Sequence, residues 1–217
     1  MKNLLLFLKK PTEARSASVI DVFVAILLFF TVPILLSICL FSLFDSVITN
    51  TPKVTYSDVG LTHFRLALIV LIEEFAFRLP LKYNWSNSLI SSMALSFLLV
   101  PMCFNISKVP IYLFVVIFLL FASLLFALQF VLFKRANFPF PFYFFAVLFG
   151  GLHCINLSFE SIDLIACLYA FLYSFDKIIG GLLLGYLRIQ TCLLLTFVVH
   201  LLYDFLPDIA SFLISLV

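Results

Sequence analysis

Eight ionisable residues, Glu73, Glu74, Arg78, His153, Asp176, Lys177, His200 and Asp204, lie inside apolar runs of the chain. An ionisable side chain within a bilayer costs at least about 2.5–3.5 kcal/mol on insertion scales, so each marks either a functional site or an ion pair that locks helices together. In the run Glu73-Glu74-Phe75-Ala76-Phe77-Arg78, Glu74 and Arg78 stand four apart on a helix, in the favourable order for an ion pair. Glu73 lies about 100° around the helix from Glu74 and is not served directly by Arg78. One carboxylate is thereby neutralised and the other is left as a general base for water. The same residues would also make an interhelical salt-bridge cluster.

His153 follows Phe149, Gly150 and Gly151, and the two glycines would let a neighbouring backbone approach closely. His200 and Asp204 are again four apart and share one helix face. A lone intramembrane histidine is commonly a hydrogen-bonded packing residue, whereas two of them beside a glutamate pair point to a site. His63 and Arg65, at the outer end of the segment that carries the glutamates, read as interfacial. Asp176 and Lys177 are adjacent and are expected not to face each other; each would pair with another helix or mark a break in its segment. Gly181 and Gly185 form a GxxxG, a packing motif. Cys154, next to His153, points elsewhere on the helix, so a Cys-His nucleophile pair is not expected. No serine in an apolar run has an adjacent base.

The elements that must position these groups are membrane helices. The chain of 217 residues is 65% hydrophobic and 11% charged, against about 45–50% and about 25% in soluble domains, which excludes a soluble monomer. Its net charge of +2 supplies no field for nucleic acid. Five cysteines, Cys39, Cys103, Cys154, Cys167 and Cys192, are odd in number and sit in apolar runs without CxxC spacing, which indicates neither a disulfide framework nor a thiolate metal cluster.

Seven apolar segments cover 19–44, 61–81, 88–104, 111–133, 141–157, 162–187 and 189–205. An all-α, polytopic bundle of about seven crossings, within a range of six to eight, is the expectation, because the third, fifth and seventh segments are short enough for one to be re-entrant. Residues 1–18 read as an interfacial cytoplasmic tail, 19–60 as the first crossing with an outside loop, and 207–217 as a C-terminal end. With the N-terminus inside, the cytoplasmic side receives Lys2, Lys9, Lys10, Arg15, Lys82, Lys134, Arg135 and Arg188, and the outside receives Lys53, Arg65 and Lys108. In this topology Glu73 lies roughly 13 Å, His153 roughly 18 Å and His200 roughly 17 Å from the cytoplasmic ends of their segments, depths compatible with one level.

With these residues in hand, the chain resembles the CAAX prenyl protease and bacteriocin-processing family of intramembrane proteases, also called the Abi family. The family's EExxxR matches Glu73 to Arg78, its FxxxH matches Phe149 to His153, and its final HxxxN or HxxxD matches His200 to Asp204. The stretch GLLLGYLR from Gly181 to Arg188 also looks like the family's segment before the last motif. The resemblance covers about residues 61–206 and implies an intramembrane endopeptidase core there. By this resemblance Glu73 would activate water with help from His153, Glu74 and Arg78 would hold the geometry, and His200 with Asp204 would stabilise the oxyanion. Asp204 stands where many members carry Asn; a carboxylate accepts where an amide donates, which leaves it the alternative task of orienting His200.

The family has been described both as metal-dependent and as metal-independent, so either no cofactor or a divalent metal such as zinc is compatible with the motifs. Glu and two His are zinc ligands by type, though there is no HExxH. The expected partners are a peptide or membrane-protein substrate and the lipid bilayer, without nucleic acid. Two rival classes are a non-hydrolytic bacteriocin immunity or partner protein of the same fold, and a proton-coupled transporter. The second and last segments do not resemble each other, so no inverted repeat supports the transporter.

Overall fold

The computed structural model describes residues 2–12, 17–45, 63–103, 110–135, 137–154, 157 and 164–215. Among the described residues there are eight α-helices and no strand: α1 (Lys2–Lys9), α2 (Val19–Asp45), α3 (His63–Phe77), α4 (Trp85–Cys103), α5 (Ile111–Arg135), α6 (Pro139–His153), α7 (Leu164–Gln190) and α8 (Leu193–Ser215). A short 3-10 turn, Leu79–Leu81, follows α3. Each of the seven apolar segments overlaps one of the helices α2 to α8. The segments 19–36, 85–103, 111–134 and 164–190 are long and apolar enough to cross a membrane, as a bilayer-spanning helix requires. The expected outside loop at 46–62, with Lys53, and the stretch 104–109, with Lys108, lie outside the described residues.

Local chemistry sets the helix ends. Ser18 and Asp21 open α2: the Asp21 backbone N–H donates to Ser18 Oγ at 3.2 Å, and the Ser18 hydroxyl donates to Asp21 Oδ2 at 2.8 Å. The first of these bonds satisfies one donor that a helix start leaves orphaned, and the second holds the serine in place. Asn84 opens α4 by accepting from the Asn87 N–H at 2.7 Å. Pro139 begins α6, where its missing N–H costs nothing. Pro80 ends the α-helical path of α3, so the second apolar segment closes in a 3-10 turn with Leu79, Pro80 and Leu81 buried.

The N-terminal stretch read as an interfacial tail is the helix α1, and one side of it is buried. Leu4 and Phe7 are enclosed, with Phe7 edge-on to Tyr186 of α7 at 5.0 Å and to Phe142 of α6 at 5.4 Å between ring centroids. The Tyr143 hydroxyl of α6 donates to the Leu8 carbonyl. The outward side chains of α5, among them Leu119, Leu120 and Leu124, are apolar and exposed, the pattern of a helix whose surroundings are themselves apolar.

Helices α6 and α7 approach at backbone distance, and glycine makes it possible. A Cβ on Gly150 would lie 2.7 Å from the Ser174 carbonyl oxygen and 2.7 Å from the Ile178 backbone nitrogen, and would also run into Ile178 Cγ1. A Cβ on Gly151 meets nothing within 4 Å. Only the first of the two adjacent glycines therefore serves close approach. Gly181 faces the Ala146 backbone, where a Cβ would stand 3.2 Å from its oxygen, and Gly185 faces the Phe142 ring at 3.0 Å, so the GxxxG is a packing surface. Gly150→Ala should destabilise the protein by about 1–3 kcal/mol through overpacking against backbone that cannot yield, while Gly151→Ala should be close to neutral. Thermal unfolding of the two variants in detergent checks this, and equal melting temperatures would contradict it.

Candidate active site

Four helices bring together the six ionisable residues of the three motifs. The last turn of α3 carries Glu73 and Glu74, and Arg78 extends that turn, its N–H donating to the Glu74 carbonyl at 3.0 Å. The end of α6 supplies His153, α8 supplies His200 and Asp204, and the cavity beside them is completed by α4.

Glu74 is fully buried. His200 Nδ1 lies 2.9 Å from Glu74 Oε1, and Arg78 Nε is 3.6 Å from the same oxygen. A carboxylate only accepts, so Nδ1 of His200 carries the proton and donates. Thr196, one turn before His200 and also buried, donates its hydroxyl to the Leu193 carbonyl at 2.8 Å. The guanidinium of Arg78 makes no hydrogen bond among the described residues. Its charge is instead met by Glu74 and by the face of Phe149, whose centroid lies 3.9 Å from Arg78 Cζ, a cation–π arrangement suited to a desolvated arginine.

Glu73 faces away from this pair. Its Oε2 is 3.8 Å from His200 Nε2, and Asp204 Oδ2 is 3.8 Å from that same nitrogen. These separations exceed hydrogen-bond length and fit charge–charge contact or a bridging water. His200 is thus shared: one ring nitrogen belongs to Glu74, and the other is flanked by Glu73 and Asp204.

His153 donates from Nδ1 to the Phe149 carbonyl one turn earlier, at 2.8 Å. A carbonyl cannot donate, so Nε2 of a neutral His153 carries the lone pair. Glu73 and His153 line one cavity of about 50 Å³ with Phe77, Leu98, Met102, Phe149 and Leu152. A water needs roughly 10–15 Å³ of such volume and polar partners; this cavity has both.

Phe149 stands in the sequence as the first residue of FxxxH, but the motif assigns it no packing role. Its ring packs edge-on against His153 at 4.6 Å, against His200 at 5.8 Å and against Phe77 at 5.3 Å, besides carrying Arg78. The available signal was an aromatic residue one turn before an intramembrane histidine. Arg188, counted among the cytoplasmic-end cations, is buried in α7 and donates from Nε to the Arg78 carbonyl at 3.3 Å.

Asp176 and Lys177 require a correction. They were expected not to face each other, yet Lys177 Nζ lies 3.0 Å from Asp176 Oδ2, and α7 runs through both without a break. The four-carbon stem of lysine is long and flexible enough to turn its ammonium back onto a neighbour. That ammonium also lies 5.5 Å from the Tyr173 ring and 5.7 Å from the Tyr203 ring. Cys154 turns towards α7, with Sγ 2.6 Å from Ser174 Oγ and 3.4 Å from the Ala170 carbonyl. Among the described residues, no three of His, Cys, Asp and Glu are placed to hold a metal ion.

Comparison of the chain with protein-family models, with curated proteins and with solved structures gives no match. Arg78→Met should cost about 3–5 kcal/mol, because it strands the buried Glu74 carboxylate. The double variant Glu74→Leu/Arg78→Met strands no Glu74 charge but leaves the His200 Nδ1–H without its acceptor, so it should recover part of that loss. Melting temperatures in detergent compare the two, and an unchanged value for Arg78→Met would remove the pair from the list of stabilising interactions.

Proposed function

We propose that this chain is an intramembrane endopeptidase, of the kind its three motifs resemble, in which Glu73 activates a water for attack on a peptide bond. The observation that carries this reading is the different environment of two adjacent glutamates. Glu74 is consumed by Arg78 and His200, whereas Glu73 lines a cavity with His153, whose Nδ1 is committed to the Phe149 carbonyl. A structural ion-pair cluster needs only the first arrangement.

In the proposed reaction a water sits between Glu73 and His153. Glu73 takes one of its protons while the oxygen bonds to the carbonyl carbon, and the carbonyl electrons move onto the oxygen as an oxyanion. His153 orients the water through its Nε2 lone pair. His200, held at Nδ1 by Glu74, presents its other ring edge where the negative charge develops. Asp204 as a carboxylate only accepts, so its part is to orient His200. Collapse of the tetrahedral intermediate breaks the C–N bond, and the proton held by Glu73 passes to the leaving amine. No step is routed through a metal.

The same reading takes the helices α2 to α8 as seven crossings with the N-terminus cytoplasmic, on the excess of basic residues at that side. The substrate class is a peptide or membrane-protein segment reaching the cavity; a prenyl group is not required by any residue named here.

The test is cleavage of a panel of fluorogenic peptides, prenylated and unprenylated, by purified protein in detergent, with and without a chelator. Glu73→Gln and His153→Ala should each lower hydrolysis by about 100-fold or more with helical content unchanged, and Cys154→Ala should retain it. Near-native cleavage by Glu73→Gln would sink the proposed role. A biological phenotype that survives Glu73→Gln would favour the non-hydrolytic immunity or partner protein.

A further inference from the structure

The helix that carries the glutamates ends at a residue that cannot complete it. In an α-helix the carbonyl of Ala76 would accept from the N–H four residues on, but that residue is Pro80 and has none. Ala76 lies between Glu74 and Arg78, so the orphaned carbonyl is inside the turn that must aim both glutamates.

Ser91 of α4 supplies the missing donor: its hydroxyl donates to the Ala76 carbonyl at 2.7 Å. A hydroxyl has one proton, and once it is committed the oxygen acts as an acceptor. Gln129 of α5 donates from Nε2 to Ser91 Oγ at 2.9 Å, which holds the serine rotor in the orientation that serves Ala76. Both side chains are buried. The neighbouring serines behave differently, since Ser92 and Ser96 each return their hydroxyl to a carbonyl one turn earlier in α4. Gln129 also stands in a helix that is apolar and exposed along most of its length. A buried amide in such a helix is favourable only where it finds a partner on another helix. From the other side Arg188 donates to the Arg78 carbonyl, so two carbonyls of this turn are each gripped by a side chain from a different helix.

We infer that Ser91 and Gln129 are positioning residues of the site, setting the rotation and height of the last turn of α3 so that Glu73 meets the cavity while Glu74 meets His200. This rests on the hydrolytic reading above. Neither residue touches the cavity lined by Glu73 and His153, so their effect is expected in the chemical step and not in substrate binding.

The experiment measures kcat and KM for wild type, Glu73→Gln, Ser91→Ala, Gln129→Leu, the double variant Ser91→Ala/Gln129→Leu and, as a control, Ser92→Ala, on one peptide that wild type cleaves. Ser91→Ala should lower kcat by about 10- to 100-fold, as sub-ångström to ångström misplacement does, with KM within about twofold. Gln129→Leu should lower kcat less, and the double variant should be no worse than Ser91→Ala, because the two act in series. Ser92→Ala should match wild type. If Ser91→Ala loses helical content, Gln129→Leu is decisive, since it leaves the Ser91–Ala76 bond in place. Cleavage by wild type, none by Glu73→Gln and an unchanged kcat in Gln129→Leu and Ser91→Ala would overturn the positioning role and leave the hydrolytic reading standing. Strictly additive losses would likewise overturn the relay. Cleavage that persists in Glu73→Gln, or none by wild type on any peptide, would remove the hydrolytic reading and this inference with it.

Discussion

A carboxylate with no access to water must be compensated by the protein, and Glu74 is that carboxylate. Its compensation comes from two directions, from Arg78 one turn along its own helix and from His200 on α8. The first contact is local and would exist in an isolated helix. The second requires α8 to lie against α3 at one particular height, because the hydrogen bond from Nδ1 is lost over a shift of about an ångström. With that height set, Glu73 and Asp204 necessarily fall on either side of the remaining histidine nitrogen. The buried pair therefore acts as a registration device, the role in which buried ionic groups are best attested.

Arg78 introduces a second demand that is met aromatically. Its guanidinium lies over Phe149, which belongs to α6, and α6 can reach that position only because Gly150 lets it approach α7 at backbone distance. The glycine, the ring and the arginine form one chain of dependence. It ends at His153, which sits one turn beyond Phe149 and donates to its carbonyl. The close packing of α6 and the orientation of the candidate catalytic histidine are thus consequences of the same contact.

Proline at the end of α3 adds a third element. By withdrawing a backbone donor from the Ala76 carbonyl it opens the helix end to side chains from α4, and the Arg78 carbonyl two residues on receives a side chain from α7. Between helices packed through apolar side chains, directed hydrogen bonds of this kind define rotation more sharply than dispersion does. The proposed chemistry benefits, since a helix rotation by one residue, about 100°, would put Glu73 in the place of Glu74 and carry Glu74 away from both positions.

Much of this was legible in the residues. Composition and the spacing of apolar runs determined an all-helical membrane protein, because each spanning segment must satisfy its own backbone polar groups. The spacing of Glu74 with Arg78 determined their pairing, because four residues bring side chains onto one face. What depends on distances between helices was decided only by the tertiary structure. His200 bridging both glutamates, Phe149 beneath Arg78, and Ser91 and Gln129 at the Ala76 carbonyl all join residues far apart in the chain, and no periodicity encodes such contacts. Asp176 with Lys177 shows the converse failure: a rule about backbone direction said that neighbours diverge, and a flexible side chain overrode it. Gly150 and Gly151 are identical in type, and only the position of α7 decided which of them had to be glycine.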